Sequence, residues 1–372
     1  MPFRQLLWIG LALAAATLAC NLGSPAPTDT PLPPTATHTP PPPATDTPLP
    51  PTATPEPSPT DVPPTPEPTV TPGPGGPEGY VDNRSGPLEL MQSYINAINR
   101  HEYARAYGYW DEGSAVGAFE DFEAGFADTQ AVTLTTGTIM GEGAAGSLFY
   151  VVPVTLHALT SGGEQVFAGC YTLHLSQPGV QAEPPFRPMA IRFADVDEVP
   201  AGTDPGPIMA AACPPSAEVV TPQAPPENDI SADYYIDDRS SAAAVLRSFL
   251  NAVNRREYAR AYGYYEEGAE VIAFEDFEAD AADVAALSDY RHGGALTDAG
   301  AGQLYFSLPA AFTTEESDGE MTTSVGCFLF HLSQPAIQGV PFQPLGLRES
   351  QGSEAEPGAD VEAMLAEACA TP

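Results

Sequence analysis

Lysine is absent from this 372-residue chain, and all 13 of its basic residues are arginines. Set against 49 acidic residues, they leave a formal net charge of −36. Nucleic-acid binding depends on cationic contacts to phosphate, so this balance excludes a nucleic-acid partner. It also argues against electrostatic docking on anionic lipid. We interpret the acidity as a source of solubility; adaptation to salt and a cationic partner are the alternatives.

The sequence also lacks an apolar run long enough to span a bilayer, which takes about 20 residues. The longest, residues 6–19, has the length of a signal-peptide core and predicts a signal peptide at residues 1–19. It ends in TLAC, which resembles the bacterial lipobox, in which the cysteine, here Cys20, becomes the lipidated first residue. Thr17 stands where that motif usually has leucine. The alternative is cleavage after Ala19, which would release an unlipidated protein.

Cysteine is scarce, with five in the chain, and an odd number in an exported protein needs an explanation. Lipidation of Cys20 leaves four cysteines, which allow three pairings. Because they fall at equivalent places in the two copies of an internal repeat, we predict the disulfides Cys170–Cys213 and Cys327–Cys369. Disulfides imply an oxidising compartment, so the protein is expected on the outer face of the cell membrane, in the periplasm or at the cell surface.

Proline is abundant, with 43 residues, and about half of them lie in residues 20–79. This stretch has almost no large apolar side chains and cannot offset the entropy of ordering. It is predicted to be a disordered, Pro/Thr-rich stalk that follows the lipidated Cys20 and serves as a spacer. Residues 214–233 form a second, shorter proline-rich linker.

The rest of the chain is one module made twice. The motif EYARAYGY occupies residues 102–109 and again residues 257–264. SYINAINRHEYARAYGYW in the first copy matches SFLNAVNRREYARAYGYY in the second, and FEDFEA and HLSQP also recur in order. Module 1 is therefore placed at residues 80–213 and module 2 at residues 234–372.

Each module starts with helical patterns and continues with strand patterns. Ser85 and Ser240 are expected to cap the first helix, which is marked by apolar residues at helical spacing: Leu88, Met91, Ile95 and Ile98, and Leu246, Phe249, Leu250 and Val253 in module 2. A second short helix carries EYARAYGY, and a third is marked by Phe119, Phe122 and Phe126. Alternating β-branched segments such as AVTLTTGTI and LFYVVPVTLHAL then predict an antiparallel meander, an α+β order.

This succession, from YINAINRHEYARAY through the FEDFEA segment to long strands, resembles the nuclear-transport-factor-2-like fold. That superfamily also contains ketosteroid isomerase and scytalone dehydratase. The resemblance covers both modules and is closest to exported bacterial members on lipoprotein stalks. It implies two tandem cone-shaped modules, each with N-terminal helices packed on a curved antiparallel sheet around a pocket. The family includes enzymes, binding domains and assembly domains, so the fold does not fix an activity.

The family's enzymes place an Asp or His base and an acid or oxyanion donor in that pocket. His157 has Thr313 as its counterpart in module 2, and Asp128 is expected to end a helix. His174 and His331 do recur, but strand alternation puts them on the face away from the helices. The sequence shows no Ser-His-Asp arrangement, phosphate-binding loop or metal-ligand spacing. We therefore predict no catalytic residue, metal or cofactor.

Two repeated features remain as candidates. Glu102 and Arg105, with their equivalents Glu257 and Arg260, have helical i, i+3 spacing and are expected to form surface ion pairs; a polar group at a pocket mouth is the alternative. The aromatic residues of the second helix are expected mainly in the core, with some lining a pocket: Tyr103, Tyr107, Trp110, Tyr258, Tyr262 and Tyr265.

The favoured function is non-enzymatic. We expect an extracytoplasmic, membrane-anchored lipoprotein that displays two binding or interaction modules for a small molecule, a wall polymer or a partner protein. An isomerase- or dehydratase-like enzyme acting in the cone pocket and a purely structural tandem are the alternatives.

Overall fold

The computed structural model describes residues 76–200, 202–213, 218–221 and 223–370. The predicted signal peptide, the lipidation site Cys20 and nearly all of the predicted stalk lie outside the described residues. Within these ranges, no helix combines the length and the apolar character needed to cross a bilayer.

Module 1 begins with three helices, α1 (Pro87–Asn99), α2 (Tyr103–Tyr107) and α3 (Phe119–Gly125). Pro87 occupies the first turn of α1, where its missing N–H costs no hydrogen bond. The helix buries Met91, Ile95 and Ile98 on one face, as the spacing predicts. His101 ends the helical path because it takes a positive φ of 57°.

The first sheet is antiparallel and follows the chain as a meander. Its strands run in the spatial order β5-β4-β3-β2-β6, and β1 also pairs with β3. The strands and the helix between β5 and β6 are β1 (Thr129–Thr136), β2 (Met140–Ala144), β3 (Ser147–Thr160), β4 (Gly163–Ser176), β5 (Ala190–Glu198), α4 (Gly206–Ala212) and β6 (Glu218–Val219). The segment predicted as a linker thus contributes β6 to the edge of this sheet.

Module 2 repeats this plan. Its sheet has the order β11-β10-β9-β7, with β8 also paired to β9. The elements are α5 (Ala242–Asn254), α6 (Tyr258–Tyr262), α7 (Phe274–Ala282), β7 (Val284–His292), β8 (Leu296–Gly300), β9 (Gln303–Glu316), β10 (Met321–Ser333), β11 (Gly346–Glu354) and α8 (Val361–Glu367). The predicted α+β architecture is confirmed as two antiparallel sheets with packed helices.

Each sheet has its own hydrophobic core against its own helices. Val152 and Leu173 belong to the core of module 1, and Leu308 and Phe330 to that of module 2. Two tyrosines depart from this division: Tyr80, at the start of module 1, lies in the core of module 2, and Tyr235, at the start of module 2, packs against the core of module 1. The two cores are therefore linked through the segments that lead into each module.

Two disulfides hold the C-terminal helices to the sheets. Cys170 of β4 bonds to Cys213 after α4, and Cys327 of β10 bonds to Cys369 after α8. These are the pairs that the repeat predicts. They fit an oxidising compartment.

The prediction that Ser85 and Ser240 cap the first helices is wrong. Gly86 occupies the N-cap of α1, and Ser241 caps α5 by accepting a hydrogen bond from the Ala244 N–H. The Ser85 hydroxyl instead accepts from the N–H of Asp237 at 2.8 Å, across the contact between the modules. The Ser240 hydroxyl makes the reciprocal contact, accepting from the N–H of Asp82 at 2.9 Å.

Candidate functional site

A cavity of about 140 Å³ lies in module 1 between the helices and the sheet. Its floor is formed by buried side chains of α1, β1, β3 and β4, and its rim includes the exposed Gly125 and Gln165. The lining residues are Tyr94, Ile95, Ile98, Gly125, Phe126, Thr129, Val132, Leu156, Ala158, Thr160, Gln165, Phe167 and Tyr171. None of these residues is charged, so the cavity is mainly apolar with a few hydroxyl and amide groups.

The polar groups at the floor are two tyrosines beside a tryptophan. The ring centroids of Tyr94 and Tyr171 are 6.1 Å apart, and that of Trp110 is 6.3 Å from each. Burial raises the pKa of Tyr171 to about 12 and raises that of Tyr94 well above its ordinary value, so both are neutral hydroxyls at physiological pH. The indole N–H of Trp110 is buried close by but is not aligned for a hydrogen bond with any described residue.

The same place in module 2 has different side chains. The strand registers make Leu156 equivalent to Phe312 and Tyr171 equivalent to Phe328. Both phenylalanines are buried, with ring centroids 6.3 Å apart. The cross-strand partner of Leu156 is Phe167, and the equivalent partner of Phe312 is Ser324, so the two modules place their large side chains on different strands here.

The aromatic residues predicted for a pocket do not line this cavity. They pack helix against helix instead: the ring of Tyr107 lies 5.5 Å from Phe119 and from Phe122, and Tyr103 stacks on Phe126 at 6.0 Å. Tyr103, Tyr107 and Trp110 lie outside the lining, and their module 2 equivalents pack against the core of that module: Tyr258, Tyr262 and Tyr265. Tyr94 and Tyr171 were not singled out, although their replacement by phenylalanine in module 2 was visible in the sequence.

The prediction of a surface ion pair at Glu102 and Arg105 is wrong. Glu102 is 2% exposed and Arg105 is 1% exposed. The Nε of Arg105 donates to Glu102 at 2.7 Å, and its Nη2 donates to the side-chain Oδ1 of Asn96 at 2.8 Å. The pair is buried because the leading segment covers it, with Tyr80 lying over the guanidinium at 4.4 Å.

Module 2 repeats this buried network. The Nε of Arg260 donates to Glu257 at 2.6 Å, and Tyr235 lies over the guanidinium at 4.8 Å. Neither network contacts the cavity in module 1. We conclude that the repeated EYARAYGY motif is structural: it ties the second helix to the segment that leads into each module.

The recurring histidines lie outside the cavity. The Nδ1 of His174 is 3.4 Å from Asp111, and its Nε2 is 3.2 Å from the hydroxyl of Ser147. Asp111, Ser147 and His174 are far apart in the sequence, so their spacing does not reveal this Asp-His-Ser alignment. In module 2, His331 contacts Glu266 at 2.6 Å, but a glutamine replaces the serine. Only the contact between the histidine and a carboxylate recurs in both modules. We therefore interpret it as a structural contact that holds the loop after the second helix against the sheet.

The other two candidates for an acid or a base lie at the surface. His157 is exposed and contacts Glu164 at 3.2 Å. Asp128 follows α3 and accepts a hydrogen bond from the Ser161 hydroxyl at 3.3 Å. Neither lines the cavity. Among the described residues, no group of three histidine, cysteine or acidic side chains is arranged to hold a metal ion.

A second cavity, of about 200 Å³, lies where the modules meet. Its lining is made of equivalent pairs: Asp82 and Asp237, Arg84 and Arg239, Gly108 and Gly263, Phe186 and Phe342, Pro188 and Pro344. The guanidinium of Arg84 donates to the carbonyls of Met189 at 3.1 Å and Gly108 at 3.0 Å. Because its charged side chains already have hydrogen-bond partners within their own modules, we regard this cavity as the weaker candidate for ligand binding.

No protein-family model and no curated protein matches this chain. Among solved structures, the chain is similar to an Ntf2-like protein involved in plasmid conjugation, with 9% sequence identity. The alignment covers 73% of this chain and 100% of that chain, at a TM-score of 0.15. A likeness this weak carries no argument about fold or function.

Proposed function

We propose that this protein is an exported lipoprotein, anchored through Cys20, in which a nuclear-transport-factor-2-like module 1 binds a small, uncharged, mainly apolar molecule. The observation that carries the proposal is the difference between the two copies. Module 1 has an open cavity at the place where module 2 has buried phenylalanines. Module 1 is therefore the copy to which we assign the ligand.

The cavity indicates the size and chemistry of the ligand. An engineered apolar cavity of about 150 Å³ takes up benzene, so about 140 Å³ suits a group of one ring or a short branched chain. The neutral hydroxyls of Tyr94 and Tyr171 are suited to one or two hydrogen bonds at the buried end. Gln165 at the rim would meet the part of a larger ligand that extends into solvent.

The module is proposed to bind without catalysis. Isomerases and dehydratases of this superfamily need an acid and a base in the pocket, and the ionisable side chains that line this cavity are Tyr94 and Tyr171. Both are held neutral by burial, which makes them poor proton acceptors at physiological pH. The stalk would carry the modules away from the membrane, where a small molecule released from the wall or a neighbouring cell could be captured.

The test is to fill the cavity with the side chain that module 2 carries. Native mass spectrometry of the protein purified from its own source should detect a bound small molecule, and Leu156→Phe should lose it. The matched control is Leu159→Phe on the same strand, where the side chain is 49% exposed and points away from the cavity. Equal ligand occupancy in both variants, or turnover of the bound molecule by the wild type, would contradict the proposal.

A further inference from the structure

The leading segments of the two modules, residues 81–85 (VDNRS) and 236–240 (IDDRS), pair with each other in antiparallel fashion. The N–H of Arg84 donates to the carbonyl of Asp237 at 2.7 Å, and the N–H of Arg239 donates to that of Asp82 at 2.6 Å. The hydroxyls of Ser85 and Ser240 add the reciprocal pair of contacts described above. The two modules thus meet as in a homodimer with a two-fold axis, although they belong to one chain.

At the centre of this contact the symmetry is broken. A two-fold axis places the middle residue of each segment opposite its own equivalent, and here that residue is Asn83 in module 1 and Asp238 in module 2. The amide of Asn83 donates to Oδ2 of Asp238 at 3.3 Å. The other carboxylate oxygen of Asp238 accepts from the Ser240 N–H at 2.9 Å, just as Asn83 accepts from the Ser85 N–H at 2.9 Å.

Pairing of like modules would change this centre. Two copies of module 2 would bring two Asp238 carboxylates together, and carboxylates accept hydrogen bonds but cannot donate one when ionised. Like charges at this distance also repel. The unlike pair avoids both problems, because the asparagine amide supplies the donor.

The surroundings of Asp238 strengthen this repulsion. Asp82 and Asp237 lie close enough to disfavour further negative charge, and Arg247 is the basic side chain that interacts with Asp238 from α5. Burial raises the pKa of Asp238 to about 6. The neighbouring carboxylates reinforce this shift, and the hydrogen bonds from Ser240 oppose it. One carboxylate at the centre is ionised at pH 7.5, and a second would be repelled by Asp238, Asp82 and Asp237.

We propose that Asn83 and Asp238 form a recognition pair that makes the leading segment of module 1 select module 2, and that prevents two copies of module 2 from pairing between chains. If two copies of module 2 cannot pair, the leading segments of both modules are covered only when module 1 pairs with module 2. One residue difference at the axis thus disfavours pairing of module 2 with itself.

The experiment transposes the pair in the full chain. Asn83→Asp places two carboxylates at the axis and should lower the thermal midpoint at pH 7.5 by roughly 3–6 °C, with a smaller loss at pH 4.5, where a shared proton relieves the repulsion. The double variant N83D/D238N restores an unlike pair with the two residues exchanged across the two-fold axis. The Ser85 N–H then donates to the carboxylate, as the Ser240 N–H does in the wild type. It should return to within about 2 °C of the wild type.

Gln130→Glu is the matched control, because it adds the same charge at an exposed site outside the contact. The proposal is overturned if N83D loses no more stability than the control, or if the transposed double variant is as unstable as N83D. Should N83D alone fail to fold, recovery of folding in the double variant supports the pairing, and failure of both overturns it.

Discussion

The buried Glu102–Arg105 pair offers the sharpest test of how this fold is held together. In Arg105→Met the side chain keeps an unbranched apolar stem but is shorter and loses the guanidinium. Glu102 then loses its 2.7 Å contact with Nε, Asn96 loses a donor at 2.8 Å, and the carbonyl of Val81 loses the donor that ties the leading segment to α2. Both charged residues are almost fully buried, so water cannot replace these contacts without opening the structure.

The expected size follows from what remains. Breaking a buried ion pair by removing one partner costs about 3–5 kcal/mol, because a charge is left without compensation. The Nε of Arg100 still lies 2.7 Å from the other carboxylate oxygen of Glu102. We therefore expect the lower end, roughly 3 kcal/mol, which corresponds to a drop in thermal midpoint of roughly 6–12 °C.

The assay is guanidinium unfolding of the full chain followed by circular dichroism. Arg192→Met is the matched control, since its pair with Asp111 is half exposed and should contribute less than about 1 kcal/mol. A second variant, Glu102→Gln combined with Arg105→Met, should recover part of the lost unfolding free energy, because it removes the carboxylate charge that Arg105 no longer neutralises. Equal losses of unfolding free energy in R105M and R192M would refute the conclusion that this network is structural.

Three further outcomes are expected. Burial holds the pKa of Asp238 at about 6, above its ordinary value of 3.8, so the folded state binds a proton that the unfolded state releases, and stability should fall as pH rises from about 4 to 6. Asp238→Asn should remove that part of the pH dependence of the thermal midpoint, and an unchanged profile would contradict this expectation. Loss of the Cys170–Cys213 bond, which closes a separation of 43 residues, should cost roughly 4 kcal/mol in the chain-entropy model, and non-reducing peptide mapping should recover this pair rather than a crossed one. Cys20→Ser should move the protein out of the membrane fraction; retention there would disprove the lipid anchor.

Periodicity predicted the first helices and the long strands, but not β6, which lies in the segment predicted as a linker. Residues at helical spacing in SYINAIN became the buried face of α1, and alternating segments became β3 and β4, because each pattern has one physical solution once a core exists. The repeat also gave the disulfide pairs, since equivalent cysteines must sit at equivalent places in two copies of one fold.

Burial of charged residues could not be predicted from spacing. An i, i+3 pair such as Glu102 and Arg105 has the same local geometry on a surface helix and under a covering segment. What buries it is the leading segment around Tyr80, about 25 residues earlier, whose aromatic ring is in turn covered by the other module. The contact of His174 with Asp111 was missed for the same reason, because it depends on a tertiary contact between the Trp110 loop and β5.

The two copies have kept and changed different residues, and this difference separates structure from function. At the contact between modules the pairs are nearly identical: arginine matches arginine at 84 and 239, and serine matches serine at 85 and 240. Around the cavity the copies diverge, and the hydroxyl-bearing Tyr94 and Tyr171 have phenylalanine as their counterparts in module 2. The contact between the modules is thus repeated while the lining of the cavity differs, and this difference supports the proposal that module 1 binds a ligand and that module 2 is its partner in the tandem.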